Sequence, residues 1–266
     1  MTDLTIGLDI GAGSTKAALL EDGTEVRRTV RIRTGPFMEK AARKALAQLL
    51  EEANLKRDAV SYLATTGYGR YAYEERDMNI TEITCHARGA RLLFPGTRCV
   101  LDIGAQSSRA MRVDDEGRVQ KFLMNDRCAA GAGRFLERIA KSLEIDVLEL
   151  GPMALRAKNP EPISSICAVL AESEVINHVT QGKPAADIVA GAHYSIADRT
   201  LALLRQVGLE AEVTLTGGLS LNPGVVRALE ERLEMKINAT PDSPFAGAIG
   251  AAQLGHWRLK RRGTDA

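Results

Sequence analysis

The sequence predicts an α/β protein made of two similar halves, and two observations support this prediction. A strand–turn–strand pattern that contains Asp-Ile-Gly occurs at 9-DIGAGSTKAAL-19, and it recurs at 102-DIGAQSSRAMR-112. Apolar residues at helical spacing follow the first pattern, most clearly at 39–53. No Pro- or Ser-rich linker separates the repeats, so we expect tight crossings between the halves rather than a flexible tether.

The first half begins with a predicted hairpin. Residues 4–8 and 17–20 are apolar enough for strands, and the polar, glycine-rich run 9–16 is predicted to form the turn. A helix is predicted over 39–53, and a further strand at 62–65 leads into 66-TGYGR-70. We expect this half to contain residues 1–95 together with a C-terminal helix, 245–266.

The second half, expected over 96–244, repeats the hairpin and then adds helices. The run 245-FAGAIGAAQLG-255, which returns to the first half, predicts a small-residue helix suited to close packing. The other predicted elements are strands at 98–102 and 110–113 around the turn 102–109, helices from Glu137 and from Glu172, a strand at 213–216 and a helix from Val225.

Composition excludes several classes of function. The 266 residues include 35 basic and 34 acidic ones, so no net charge favours nucleic acid or an anionic membrane. No apolar run is long enough for a transmembrane helix, and the N-terminus lacks the features of a secretory signal. We therefore expect a cytoplasmic protein whose thiols stay reduced.

The first Asp-Ile-Gly turn has the chemistry of a phosphate-binding turn. Its glycines let the backbone approach closely, so that N–H groups converge on one point where an anion binds. Its hydroxyls and its lysine add donors and positive charge, and its carboxylate is suited to a hydrated Mg²⁺. The candidate nucleotide-binding residues here are Asp9, Gly11, Gly13, Ser14, Thr15 and Lys16.

Two further glycine turns extend this chemistry. Asp102 is expected to hold Mg²⁺ through water as Asp9 does, Gln106 is a candidate to contact the γ-phosphate or its water, and 216-TGGLSLNP-223 is suited to place an adenosine against backbone. One such turn alone is equally an ordinary hairpin tip, but three together favour nucleotide binding. The pattern G-x-x-x-x-G-K-[ST] is absent, so this is not a P-loop. The candidate residues of these turns are Asp102, Gly104, Gln106, Gly217, Gly218 and Asn222.

Four cysteines are present, and none forms a C-x-x-C pair. Cys85 and Cys99 have apolar or strand neighbours and are predicted to be buried thiols. Cys128 and Cys167 each precede a predicted helix, where the helix dipole stabilises a thiolate. A nucleophile, a metal ligand and a buried thiol are all compatible with such a position, although no histidine has a spacing that favours a nucleophile.

The three turns, in this order, resemble the phosphate and adenosine motifs of the actin, Hsp70 and sugar-kinase superfamily of ATPases. That resemblance implies two ribonuclease-H-like α/β domains with ATP in the cleft between them. The runs 66-TGYGR-70, 82-EITCHARGA-90, 125-NDRCAAGAGRFLE-137 and 163-ISSICAVLAESEVI-176 resemble one family within it. This family comprises the ATPase activators of 2-hydroxyacyl-CoA dehydratases and the ATP-binding subunits of benzoyl-CoA reductase.

One motif departs from the activators. Their second phosphate turn is usually of a Gly-Gly-Gln-Asp-Ser-Lys type, whereas this chain has 104-GAQSSR-109, with Ser107 and Arg109 in place of the acidic residue and the lysine. The Asp-Ile-Gly-Ala form and the closing 241-PDSPFAGAIGAA-252 are more similar to the smaller ATP-binding subunits of benzoyl-CoA reductases.

The resemblance implies that Cys128 and Cys167 hold a [4Fe–4S] cluster shared between two chains, each of which supplies two thiolates. It further implies that electrons pass from ferredoxin through this cluster to the catalytic reductase subunits, at the expense of ATP. The second chain would be a paralogous ATP-binding subunit or another copy of this one. Glu82 is a candidate to orient the hydrolytic water, or an ordinary helix-start acid.

Other functions stay open. A homodimeric activator of a 2-hydroxyacyl-CoA dehydratase is the nearest alternative, and the altered second turn argues mildly against it. A small-molecule kinase of the same superfamily would have a catalytic aspartate and no iron. An actin-like structural protein is disfavoured because the chain has no room for large inserted subdomains.

Overall fold

Two mixed β-sheets organise the chain, one in each of two structural units. The computed structural model describes residues 2–125, 132–164 and 168–264. Unit 1 consists of Met1–Thr97, Val113–Gln120 and Pro244–Ala266, and unit 2 consists of Arg98–Arg112 and Lys121–Ser243. The hairpin tip at 113–120, which the expected division assigned to the second half, groups with unit 1.

The sheet of unit 1 has the strand order β3-β2-β1-β4-β5. The central strand β1 is buried along most of its length; it is antiparallel to β2 and parallel to β4. The carboxyl ends of β1 and β4 therefore meet at one edge of the sheet, where α/β proteins usually bind ligands. The strands are β1 (Leu4–Ile10), β2 (Ser14–Glu21), β3 (Glu25–Arg33), β4 (Tyr62–Thr66) and β5 (Met78–Asn79).

Three helices complete unit 1: α1 (Met38–Glu52), α2 (Glu82–Leu93) and α8 (Ala246–Thr264). The predicted close packing of α8 is confirmed, because a Cβ at Gly89 would lie 1.8 Å from the carbonyl oxygen of Ala246. A Cβ at Gly250 would likewise lie 1.9 Å from the carbonyl oxygen of Cys85. Only glycine allows the backbones of α2 and α8 to approach so closely.

The sheet of unit 2 has the order β8-β7-β6-β9, and β6 again pairs antiparallel with β7 and parallel with β9. One large core of apolar side chains joins this sheet to the helices, with Phe135, Ile196 and Leu215 essentially inaccessible to solvent. The elements are β6 (Cys99–Ile103), β7 (Ser108–Val113), β8 (Val119–Asn125), α3 (Ala132–Ser142), α4 (Val147–Ala154), α5 (Ala168–Thr180), α6 (Ala185–Val207), β9 (Val213–Thr216) and α7 (Pro223–Leu233).

The predicted strands are confirmed, but both phosphate turns are tighter than expected. In unit 1 the strands extend through Ile10 and resume at Ser14, and in unit 2 they extend through Ile103 and resume at Ser108. Antiparallel pairing therefore continues almost to the tip of each hairpin. Within the described part of the chain, no helix is both long and apolar enough to span a bilayer.

Candidate functional site

The first phosphate turn is anchored by a buried ion pair. Asp9 and Lys16 stand opposite each other on β1 and β2, and Lys16 Nζ lies 3.0 Å from Asp9 Oδ2. Both residues are less than 10% exposed (3% and 7%). Thr34, the residue after β3, also stabilises the turn, because its hydroxyl donates to the Gly11 carbonyl at 2.7 Å. The lysine therefore neutralises the aspartate beneath the turn.

The second phosphate turn repeats this arrangement with arginine. Asp102 on β6 stands opposite Arg109 on β7, and Arg109 Nη1 lies 2.6 Å from Asp102 Oδ2. Both are buried, and the Thr216 hydroxyl donates to Asp102 Oδ1 at 3.3 Å. Arg109 thus occupies the structural position of Lys16, and its replacement of the usual lysine preserves the charge of the site.

A Thr-Gly pair lies beside each aspartate. Thr66 on β4 is in register with Asp9, as Thr216 on β9 is with Asp102. The next residues, Gly67 and Gly217, have φ of +92° and +83°, and in each case a Cβ would lie 2.6 Å from Oδ1 of the aspartate in the same unit. The two units therefore carry the same four-residue constellation of acid, base, threonine and left-handed glycine.

The sequence reveals only part of this symmetry. The run 66-TGYGR-70 is recognisable as a family motif without an assigned role, although it is the counterpart of 216-TGGLS-220 in the other unit. A usable signal exists, because each Thr-Gly pair follows an apolar strand and accompanies one repeat of the Asp-Ile-Gly hairpin.

The aspartates fit an indirect role toward Mg²⁺ better than direct coordination. One oxygen of each carboxylate is occupied by a buried cation, which leaves little negative charge for a metal. Among the described residues, no group of three or more His, Cys, Asp or Glu side chains has metal-binding geometry. Mg²⁺ keeps most of its waters and is often held partly by substrate phosphates, so contact through water is compatible with this geometry. The metal role of Asp9 and Asp102 stays a prediction.

The third turn leads directly into a capped helix. Gly217 is followed by a short 3₁₀ turn over Gly218–Leu221, and Asn222 then caps α7. Asn222 Oδ1 accepts from the backbone N–H groups of Gly224 at 2.9 Å and Val225 at 3.1 Å. These bonds satisfy donors that a helix start otherwise leaves unpaired, which fixes the exit of the turn.

The second turn is in direct contact with α3. The N–H groups of Gly133 and Arg134 donate to the carbonyls of Gly104 at 3.2 Å and Ala105 at 3.0 Å. With its amide oriented to satisfy its neighbours, Gln106 accepts from Arg134 Nη2 at 2.8 Å. Gln106 is therefore engaged with α3, and both the backbone and the side chain of Arg134 contact the turn.

Glu82, the other catalytic candidate, is the first residue of α2 and is only partly exposed. This position agrees with a helix-start acid, since carboxylates are favourable at helix N-termini. Its catalytic role stays a prediction.

Cys85 and Cys99 are buried free thiols, as predicted. Burial raises the pKa of Cys85 to about 12. Burial also raises the pKa of Cys99, whose Sγ lies 3.4 Å from the Glu210 backbone nitrogen and 3.6 Å from the Gly208 carbonyl oxygen. Neither thiol has the character of a nucleophile or of a metal ligand.

Cys128 and Cys167 lie outside the described residues, but the helices that follow them are described. The helices predicted from Glu137 and from Glu172 are confirmed, and they begin earlier, at Ala132 for α3 and at Ala168 for α5. Arg138 on α3 and Glu172 on α5 form an ion pair at 3.5 Å, and both lie within the first two turns of their helices. The N-terminal parts of the two helices are therefore neighbours.

The chain is similar to known proteins over nearly its whole length. A profile described as the BadF/BadG/BcrA/BcrD ATPase family matches residues 6–255. The chain is 46% identical to one of the benzoyl-CoA reductase subunits of Thauera aromatica over 277 aligned residues, which cover 98% of this chain and 97% of the relative. It is 41% identical to the 2-hydroxyisocaproyl-CoA dehydratase activator of Clostridioides difficile over 249 residues, with 93% of each chain covered.

Solved structures agree with these similarities. The structure of the Clostridium difficile activator with bound ADPNP superposes with a TM-score of 0.93 at 38% identity and covers 99% of this chain and 98% of that one. A glucokinase of the ROK family from Streptomyces griseus superposes with a TM-score of 0.59 at 14% identity, over 96% of this chain and 99% of that one, which shows a common fold alone. The predicted α/β fold of the actin, Hsp70 and sugar-kinase superfamily is confirmed.

Proposed function

Because the chain belongs to the BadF/BadG/BcrA/BcrD ATPase family, we propose that it is the ATP-hydrolysing electron-transfer subunit of a benzoyl-CoA reductase. The full-length identity of 46% to a subunit of such an enzyme carries this proposal. Within it, the chain accepts low-potential electrons from ferredoxin and delivers them to catalytic subunits. Its immediate partner is a paralogous ATP-binding subunit, which supplies the second half of a shared cluster site.

The two constellations support the nucleotide part of the proposal. In each unit, a buried ion pair holds the ends of a phosphate turn in register, and the left-handed glycine beside it brings backbone close to the aspartate. Backbone N–H groups of such turns bind phosphate, and the Asp9–Lys16 and Asp102–Arg109 pairs hold the two turns in place. Hydrolysis of bound ATP would supply free energy, and Mg²⁺ would neutralise charge on its phosphates. Gly217, Gly218 and Asn222 would contact the adenosine.

The paired helices support the cluster part. In the sequence, Cys167 immediately precedes α5 and Cys128 lies four residues before α3, and the N-terminal parts of these two helices are neighbours. This arrangement is compatible with two cysteines of one chain binding one cluster. A [4Fe–4S] cluster there would supply one-electron transfer, and it takes four thiolates in total. The remaining two would come from the partner chain.

The contact between α3 and the second turn gives a route from nucleotide to cluster. Gly133 and Arg134 bond to the turn carbonyls within a few residues of Cys128. A change in the turn between nucleotide states would therefore displace the start of α3. Such a coupling requires only that the nucleotide bind two arrangements of this contact unequally.

A homodimeric activator of a 2-hydroxyacyl-CoA dehydratase is the second candidate. The TM-score of 0.93 to the structure of a dehydratase activator favours it. Its shared site would be completed by a second copy of this chain. This function also requires ATP binding and a shared iron–sulfur cluster, but the partner chain would be identical to this one rather than a paralogue.

Iron content and subunit mass, measured after anaerobic purification of the chain alone, separate these functions. About four iron per dimer supports the activator. An iron-free, ATP-binding monomer that gains iron on co-expression with a paralogous subunit supports the reductase. Iron that is absent under both conditions would overturn the cluster proposal.

Matched cysteine variants test the ligands. Cys128→Ser and Cys167→Ser are expected to abolish iron binding while ATP binding persists. Cys99→Ser is the control, because a serine hydroxyl can still bond to the Gly208 carbonyl and the Glu210 N–H. Iron retained by Cys128→Ser would contradict the assignment.

A further inference from the structure

His193 on α6 is a buried histidine that the proposed chemistry does not use. Only 1% of it is exposed. Its Nδ1 lies 2.7 Å from the carbonyl oxygen of Val189, and its Nε2 lies 3.1 Å from Oδ1 of Asn222. The sequence indicates no role for the histidines, but this ring connects α6 to the residue that ends the third glycine turn.

Asn222 stands at the centre of this contact. Its side-chain oxygen, Oδ1, accepts from the N–H groups of Gly224 and Val225. Because these two donors require an oxygen there, the atom that faces His193 is the amide oxygen and not the amide nitrogen. The packing is close on the sides of Gly224 and Gly151. A Cβ at Gly224 would lie 2.8 Å from His193 Cδ2, and one at Gly151 would lie 2.7 Å from Asn222 Oδ1.

Both ring nitrogens of His193 therefore face acceptors. A neutral imidazole has one N–H and satisfies one acceptor at a time, whereas an imidazolium satisfies both. Burial lowers the pKa of His193, which favours the neutral ring near pH 7. The ring also borders a cavity of about 130 Å³, whose ionisable lining residues are Lys158, Tyr194, Arg227 and Glu231.

We propose that His193 is a positioning residue for nucleotide binding: by its hydrogen bond to Asn222 it holds the exit of the Gly217–Leu221 turn in the conformation that receives the adenosine. This inference rests on the proposed binding of ATP. It assigns His193 to the adenosine part of the ligand, because the contact reaches the third turn and neither aspartate.

Calorimetric titration of the purified protein with MgADP and with magnesium tripolyphosphate tests this assignment. His193→Phe, which removes the donor, is expected to weaken ADP binding roughly 3- to 10-fold, the value of one hydrogen bond. Tripolyphosphate, which has no adenosine, should bind to His193→Phe as tightly as to the wild type. His193→Gln can donate from its amide and should restore most of the ADP affinity.

Thr200→Val is the matched control on α6. It removes a buried hydroxyl that bonds to the helix's own carbonyls, those of Ile196 and Ala197. It should leave both affinities unchanged. A folded His193→Phe variant with wild-type ADP affinity would overturn the inference, as would equal losses for ADP and tripolyphosphate. A wild-type protein that binds neither ligand would instead overturn the proposed function.

The pH dependence decides the matter if His193→Phe does not fold. As the pH falls well below the ordinary histidine pKa of about 6.5, the ring gains its second N–H and can hold Asn222 in every molecule. ADP affinity of the wild type should therefore rise relative to that of His193→Gln, whose amide does not titrate. Parallel pH curves for the two proteins would refute the role of the ring.

Discussion

Asp102 forms a buried ion pair with Arg109, whose Nη1 lies 2.6 Å from its Oδ2, and this pair is the counterpart of Asp9 and Lys16 in the other unit. The departure of this chain from the usual activator motif is therefore a change of cation within a preserved arrangement. The difference between lysine and arginine at this position does not by itself separate a reductase subunit from an activator.

Removal of one partner of this pair should destabilise unit 2. Arg109→Met leaves the Asp102 carboxylate buried without its cation, and we expect a loss of about 3–5 kcal/mol in the free energy of unfolding. Arg109→Lys, which reproduces the Asp–Lys pair of unit 1, should lose far less stability than Arg109→Met. Urea denaturation measures both, and equal stability of the two variants would show that the ion pair contributes little.

Gly217→Ala should weaken nucleotide binding by a local clash. Its Cβ would lie 2.6 Å from Asp102 Oδ1 at a φ of +83°, so the turn or the carboxylate has to move. We expect ADP affinity to fall at least about 10-fold, since the loss of even one strong contact is worth this much. Fluorescence titration with a labelled ADP measures the change.

Gly182→Ala is the control for backbone strain alone. Gly182 has a φ of +72°, but a Cβ there would meet nothing within 4 Å. This variant should lose about 1 kcal/mol of stability and no nucleotide affinity. If both variants bound ADP equally, the close approach at Gly217 would have no role in the site.

Gly133→Ala should uncouple the nucleotide from the proposed cluster. Its Cβ would lie 2.8 Å from the Ala105 Cα and 3.2 Å from the Gly104 carbonyl oxygen, which forces α3 away from the second turn. In the wild-type complex, we expect ADP and ATP to give different electron paramagnetic resonance spectra of the reduced cluster. In the variant, iron content should persist while that difference shrinks, and an unchanged difference would exclude this contact as the route.

Cys85 should resist alkylation in the folded protein. Because burial raises its pKa to about 12, the thiol stays protonated throughout the neutral and mildly alkaline range. Below the unfolded pKa of about 8.5, the thiol is protonated in both states and stability is at its full value. As the pH rises from there to the folded pKa, ionisation of the unfolded thiol lowers the free energy of unfolding. Iodoacetamide, applied at a pH of about 8.5 where an unfolded thiol is half ionised, should modify Cys85 only in denaturant. Rapid modification of the native protein would show that the site opens.

Local patterns are sufficient to predict the elements that carry the repeat. Apolar runs with glycine turns locate β1, β2, β6 and β7, and helical spacing locates α1. The edge strands β3 and β8 escape prediction because their exposed faces are charged or mixed, as in Glu25–Arg33, where arginines interrupt the apolar alternation. The long helix α6 escapes prediction because it is buried on most sides and shows little amphipathic contrast.

The site is predictable as a list of residues but not as a geometry. Sequence alone cannot show that Lys16 and Arg109 point beneath their turns, since this depends on the antiparallel register at Asp9 and Asp102. It likewise cannot show that His193 meets Asn222, because the two residues come from different elements and are brought together only by the packing of unit 2.

The order of the chain constrains how the protein is made. Unit 1 needs α8, which packs backbone to backbone against α2, yet all of unit 2 is encoded between them. A nascent chain therefore has the full sequence of unit 2 outside the ribosome before unit 1 acquires α8. Until then β1 and α2 expose the apolar surface that α8 later covers, and a chaperone bound during that interval would shield it.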